Sequence, residues 1–304
     1  MNVVFRFDAS EALVRKVGAL SGDGFEVFCA PESEDQTYER LLPRMNVIWH
    51  VLKPIDEGQI ARAPDLKLIQ KIGSGVNTID VEAAKRRGIP VCNLPGTNSR
   101  AVAEMTLLLM LACLRRLREL DTSVRTAAWP AAWQLQDQFG ELGGRTVGLV
   151  GYGAVPRILR PILEAMGAKV LYWSRSQRNS DLAALLAGSD IVSLHLPLTN
   201  ETRNIVNPLQ MKPGSILVNT ARGGLIDERQ LLSALGNGHL AAAGLDTYAA
   251  EPLQASHPLL SLENVVLAPH LAWLTQETLA RSIDAAWDNV KRLAEGRALA
   301  NRVA

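Results

Sequence analysis

The stretch that most constrains this chain is "VGLVGYGAVPRILRPILEAMGAKVLYWSR", Val147 to Arg175: an apolar run, a turn with two glycines, an amphipathic segment and a second apolar run. A strand that enters a helix through Gly151 and Gly153 and returns to a strand reads as a βαβ unit, which requires a parallel sheet with helices over its faces. In the Gly-x-Gly-x-x-Gly turn of dinucleotide sites, the first glycine makes the bend and the second lets the backbone approach a pyrophosphate. The third mainly lets the helix pack closely on the strand. Gly151 and Gly153 fill the two roles that touch phosphate, and Pro156 stands at the third position. In a first helical turn, proline loses no intrahelical bond and its fixed φ suits the helix. The amides of Ala154 and Val155 are left for phosphate, aided by the dipole at the helix start. Pro161 lies deeper in the same segment, where a proline costs about 3 kcal/mol unless a kink accommodates it.

The rest of the chain keeps this alternation. In the first third, "NVVFRF", "FEVFCA", "VIWHV" and "LKLIQKIG" read as strands, separated by helical spacings such as Ala12, Val14, Val17 and Leu20. From Thr146 a second series, "TVGLVG", "KVLYW", "IVSLHLPL", "SILVNTA", "AAAGLDTY" and "VVLAPH", supplies six strands for a doubly wound nucleotide-binding sheet. Between them, a helix is signalled by Asn98 and Ser99. Its continuous apolar content from Met105 to Leu111 fits either a buried joining helix or a dimer surface. The tail from Thr275 to Gly296 is one amphipathic helix, capped by Thr275. A chain of 304 residues is expected to form two domains.

Composition bounds the partners. The formal charge is +1, from 32 basic and 31 acidic residues, and clusters such as Lys85-Arg86-Arg87 and Arg115-Arg116 are short. Neither nucleic acid nor a membrane surface is expected as a partner. Cys29, Cys92 and Cys113 lack metal-ligand spacing, so buried thiols in a reducing compartment are expected and a metal site is not. The first residues read as a strand rather than a signal peptide, and Met105 to Cys113 is too short to span a bilayer. The expectation is a cytoplasmic protein acting on a small molecule.

Two places carry chemistry. "KVLYW" runs into Ser174-Arg175-Ser176-Gln177-Arg178, and the first acid after it is Asp181. An NAD site wants a carboxylate about 20 residues after the turn, whereas an NADP site wants an arginine for the 2′-phosphate. Arg175, with Arg178 in support, therefore favours NADP(H), with NAD(H) still admitted. Farther along, Arg222 follows "ILVNTA", Glu251 follows "GLDTY" and His270 follows "VVLAP". Strand ends of an open parallel sheet share one rim, so residues far apart in sequence meet there. Imidazole gives a proton to a ketone or takes one from a hydroxyl, a carboxylate holds the ring, and a guanidinium grips a carboxylate and polarises a carbonyl. The set fits hydride transfer between nicotinamide and a carbon bearing oxygen.

Over essentially its whole length the sequence resembles the D-isomer-specific 2-hydroxyacid dehydrogenase family, through "KIGSGVNTID", "NLPGTNSRAVAEMTLLLML", "ELGGRTVGLVGYGAV", "SLHLPLTNETRNIV", "MKPGSILVNTARGGLID", "AAAGLDTYAAEP" and "NVVLAPHLAW". The resemblance implies an α/β protein of two doubly wound parallel-sheet domains. A Rossmann nucleotide domain, residues 97–273, is inserted into a flavodoxin-like substrate domain of residues 1–96 and 274–304. It also implies a homodimer through the nucleotide domain, with its dimerisation segment at about 100–140.

Position by position, the resemblance makes Arg222 the substrate-orienting arginine, His270 the acid/base and Glu251 its partner. Ser74, Gly75 and Val76 match the loop whose amides bind the substrate carboxylate. Asp246 matches the aspartate near the carboxamide of the nicotinamide, and His195, Pro197, Thr202, Thr220 and Ala221 fall on segments lining the cofactor. Pro156, Ala154-Val155 and Asn77 depart from the family pattern. Trp273 resembles members acting on glyoxylate or hydroxypyruvate. The implied activity is reduction of a small 2-oxo acid, those two first, to the D-2-hydroxy acid. The alternatives are a bulkier or phosphorylated acid such as phosphoglycerate, selected by Lys53 and Arg100, and a non-catalytic cofactor-sensing protein like the corepressors of this fold.

Overall fold

Five parallel strands build the first sheet: β1 (Asn2–Arg6), β2 (Glu26–Ala30), β3 (Val47–His50), β4 (Leu68–Lys71) and β5 (Val91–Cys92), in the order β2-β1-β3-β4-β5. The computed structural model describes residues 1–175 and 181–304 and divides into two units, Met1–Asn98 with Thr275–Ala304, and Ser99–Leu274. β1, β3 and β4 are buried along almost their whole length because helices cover both faces of their sheet. Val4, Ile48, Ile69 and Val91 meet Tyr38, Leu42, Ile60 and Ala83 in one core. The final helix, Gln276–Ala294, starts where Thr275 accepts from the Thr278 N–H. It returns to the same sheet, where Asn289 donates to Gln70 of β4 at 2.7 Å and Trp287 packs edge-on against Trp49.

The second unit holds six parallel strands: β6 (Thr146–Val150), β7 (Lys169–Trp173), β8 (Ile191–Leu194), β9 (Ser215–Asn219), β10 (Leu240–Leu245) and β11 (Val265–Leu267). Their order is β11-β10-β9-β8-β6-β7. Winding reverses between β6 and β8, so this sheet has a topological switch point where the glycine turn leaves β6; such points are where open α/β sheets bind ligands. One face packs on the helices Ser99–Leu114 and Ala154–Ala165 through Leu109, Leu149, Leu159 and Leu163. The other face packs on Leu185, Leu231 and Leu235. The apolar helix Ser99–Leu114 thus buries much of its surface, and β10 passes so close that a Cβ on Gly244 would stand 2.9 Å from the Leu109 Cβ. Beyond it, Leu117, Val124, Trp129 and Trp133 remain exposed.

Candidate functional site

The glycine turn has the two distinct glycines that its spacing required. Gly151 has φ +102°, and a Cβ there would lie 2.5 Å from the His195 carbonyl oxygen. The bend and the exit of β8 leave no room for a side chain, while the His195 N–H donates to Val150 at 2.7 Å. Gly153 faces open space: among the described residues, nothing lies within 4 Å of its Cβ position. It is the N-cap of Ala154–Ala165, whose first N–H groups, those of Ala154 and Val155, have no acceptor within the helix. Pro156 falls in that first turn, buried, and the helix continues through Pro161 on its exposed face. A bend uncovered among the described residues, N–H groups with no acceptor in their helix and a helix start together fit a pyrophosphate.

Arg222, Glu251 and His270 lie on the rim formed by the C-terminal ends of β9, β10 and β11. His270 Nδ1 is 2.6 Å from Glu251 Oε2, and the other carboxylate oxygen accepts from the Tyr248 N–H at 2.9 Å. Burial alone would raise the Glu251 pKa, but the hydrogen bond and charge of His270, the Tyr248 N–H and the Arg222 charge outweigh it and hold the carboxyl below its ordinary value. Burial pulls the Arg222 pKa down, opposed by the Glu251 charge; a guanidinium still stays protonated throughout. His270 itself sits at φ +56°, a left-handed conformation that costs a non-glycine residue roughly 1–3 kcal/mol and persists only where the surroundings over-determine it.

Asp246 supplies that constraint. It is buried, and its two oxygens accept from the N–H groups of Leu271 and Ala272, each at 2.9 Å, clamping the turn that carries His270. Burial raises its pKa against those two hydrogen bonds. Several residues expected along the cofactor have side chains already engaged. Thr202 donates to the Pro197 carbonyl at 2.6 Å and accepts from the Thr199 N–H, stapling its own loop. Thr220 meets Thr106 of the helix Ser99–Leu114 at 2.9 Å, and the Ala221 N–H donates to Asn219. Ser174 and Arg175 follow β7; Arg175 Nη1 lies 3.6 Å from Glu201 Oε2. Arg178 lies outside the described residues.

In the smaller unit, Ser74, Gly75 and Val76 follow β4 and the positive-φ Gly73. The Ser74 carbonyl accepts from Asn93 at 2.7 Å, which anchors the loop to the residue after β5. Among the described residues none accepts a hydrogen bond from the N–H of Gly75 or Val76. Lys53 is held by Asp35 at 2.7 and 2.8 Å and by the Glu32 carbonyl, and Arg100 is exposed at the start of its helix.

The likeness to known proteins agrees with this geometry. Residues 107–272 match the family model described as D-isomer specific 2-hydroxyacid dehydrogenase, NAD binding domain. Glyoxylate reductase of Aeropyrum pernix is 40% identical over 266 residues, 82% of this chain and 79% of that protein. The chain belongs to the D-isomer-specific 2-hydroxyacid dehydrogenase family. Hydroxypyruvate reductase of Blautia hydrogenotrophica is 32% identical, covering 83% of each chain. A crystal structure of the TT0316 protein from Thermus thermophilus matches with a TM-score of 0.89 at 34% identity over all of both chains.

This 2-hydroxyacid dehydrogenase also uses residues that sequence reasoning passed over. Asn219 ends β9 with an Asx turn, accepting from Ala221 and donating to the Arg222 carbonyl at 2.9 Å; the strand-ending asparagine was the available signal. A Cβ on Gly223 would stand 1.9 Å from the Tyr248 carbonyl carbon, so the loops carrying Arg222 and Glu251 touch backbone to backbone. The Tyr248 hydroxyl donates to the Ala268 carbonyl at 2.8 Å with the Leu245 carbonyl also within reach at 3.2 Å, so it ties the ends of β10 and β11. No spacing in the sequence announces either contact.

Proposed function

We propose that this chain is an NADP(H)-preferring reductase of small 2-oxo acids, glyoxylate or hydroxypyruvate, that produces the D-2-hydroxy acid. The observation that carries the reading is the 2.6 Å contact between His270 and Glu251, on the rim where the sheet's glycine turn opens. Its support from relatives is the pair of reductases named for these acids. When bound, the nicotinamide coenzyme supplies the hydride. Glu251 accepts from His270 Nδ1–H, which leaves Nε2 as the nitrogen that gives a proton to the developing alkoxide. Arg222 grips the acid and polarises its carbonyl. The amides of Gly75 and Val76 are assigned to the substrate carboxylate, those of Ala154 and Val155 to the pyrophosphate, and Arg175 to the 2′-phosphate. Asp246 acts chiefly by fixing the His270 turn.

A panel of 2-oxo acids with NADPH and NADH, followed at the nicotinamide absorbance, tests the activity; no oxidation with any acid would favour a coenzyme sensor instead. The variant His270→Ala is expected to lose at least ~100-fold in turnover with coenzyme affinity little changed. Unaltered turnover would remove His270 from the chemistry. We assign the exposed Leu117, Val124, Trp129 and Trp133 to a homodimer surface, because large apolar side chains exposed along one segment mark an interaction site, and a reducing cytoplasm is the compartment we propose, in keeping with three cysteines without metal-ligand spacing.

A further inference from the structure

We propose that Glu201 narrows the coenzyme preference of this enzyme by competing with the coenzyme's 2′-phosphate for Arg175. The inference deepens the proposed NADP(H) reading and rests on it. Arg175 stands two residues beyond β7, the edge strand, and Glu201 lies in the loop that leaves β8. Since β6 lies between those two strands, the 3.6 Å approach of Arg175 Nη1 to Glu201 Oε2 crosses the end of β6, from which the Gly151–Gly153 turn departs.

Glu201 is held in position. The Thr199 hydroxyl donates to the same Oε2 at 2.7 Å, and Thr202 staples the loop through the Pro197 carbonyl and the Thr199 N–H. Both members of the ion pair are solvent-exposed, 54% for Arg175 and 75% for Glu201. An exposed pair of this kind is weak enough to yield to a ligand.

A carboxylate and a phosphate want the same guanidinium donors. A coenzyme with a 2′-phosphate must take Arg175 from Glu201 and then lie near the released carboxylate. One without it displaces nothing. Glu201 therefore narrows the preference for NADP(H) that Arg175 creates, leaving NAD(H) usable at the same site.

Calorimetric titration of 2′,5′-ADP and 5′-AMP into wild type, Glu201→Gln, Arg175→Ala and the double variant tests this. E201Q is expected to bind 2′,5′-ADP about three- to tenfold more tightly, with 5′-AMP changed less than twofold and the gain lost in the R175A background. If R175A weakens 2′,5′-ADP selectively but E201Q leaves it unchanged, or tightens both ligands equally, the role of Glu201 is overturned and the NADP(H) reading stands. A persistent gain without Arg175 overturns competition as the cause. If R175A affects both ligands alike, the assignment of Arg175 to the 2′-phosphate falls and this inference with it.

Discussion

Gly151 and Gly153 differ in what an added methyl group would meet, and that difference separates folding from binding. At Gly151 a Cβ meets the His195 backbone at 2.5 Å and φ is +102°, whereas at Gly153 none of the described residues comes within 4 Å. Gly151→Ala is expected to destabilise the larger unit by roughly 1–3 kcal/mol, because a strained backbone must move. Gly153→Ala is expected to leave the melting temperature nearly unchanged and to weaken NADPH binding at least ~10-fold, since the methyl occupies the space a pyrophosphate needs. Thermal denaturation and coenzyme titration of both variants check this; equal melting losses with unaltered coenzyme binding would refute the cradle. The spacing of the two glycines was legible in the sequence. The positive φ of His270 was not, because it is imposed by Asp246, 24 residues earlier, through the Leu271 and Ala272 amides.

At the scale of elements, the candidate site is an arrangement of strand ends. Tyr248 leaves β10, its hydroxyl reaches Ala268 beyond β11, and its N–H holds Glu251. Tyr248→Phe keeps the ring and the N–H but loses the tie between the two strand ends. The expected result is a drop in kcat of about 3- to 10-fold through looser alignment of His270 with Glu251, with the coenzyme Kd unmoved. Steady-state kinetics with NADPH titration decide it, and a wild-type kcat would show that the tie is dispensable. Strand identities were legible because apolar runs bounded by turns announce buried parallel strands. β5 escaped, since two residues, Val91 and Cys92, are too few to show a pattern. Tyr248 escaped as a positioning residue because its partners are backbone carbonyls, which carry no sequence signature.

Across the whole molecule, the two units differ in what they keep buried. His50, at the end of β3, is fully buried beside Arg6 and Lys71 in the register of adjacent strands, with Nε2 on Thr78 at 2.8 Å. Burial, reinforced by the charges of Lys71 and Arg6, holds its pKa well below the ordinary histidine value. Below about pH 6.5 the unfolded chain takes up a proton that folded His50 refuses, so its contribution is complete above that pH and lost as pH falls. Stability is expected to decline from this group as pH falls below about 6.5, with a slope of at most about 1.4 kcal/mol per pH unit. Urea denaturation at stepped pH should show a shallower decline for His50→Gln; parallel curves would mean that His50 does not titrate on unfolding. In the larger unit, Trp129 and Trp133 are 60% and 75% exposed. Trp133→Glu with Trp129→Glu is expected to convert a dimer to a monomer in sedimentation, and a wild-type monomer would refute the homodimer.

The sequence by itself determined the alternation of strands and helices, the glycine turn and the three residue types needed at strand ends. These follow from local backbone geometry and from the periodicity with which a sheet buries side chains. Only the tertiary structure decided that β6 lies between β7 and β8, that Gly223 touches the Tyr248 backbone and that Glu201 stands against Arg175. Strand order and loop contacts bring together residues separated by tens of positions, and no local pattern records which strand will become another's neighbour. The proline at position 156 illustrates both: the sequence allowed it in a first helical turn, and the fold placed it there, leaving the bend at Gly153 open.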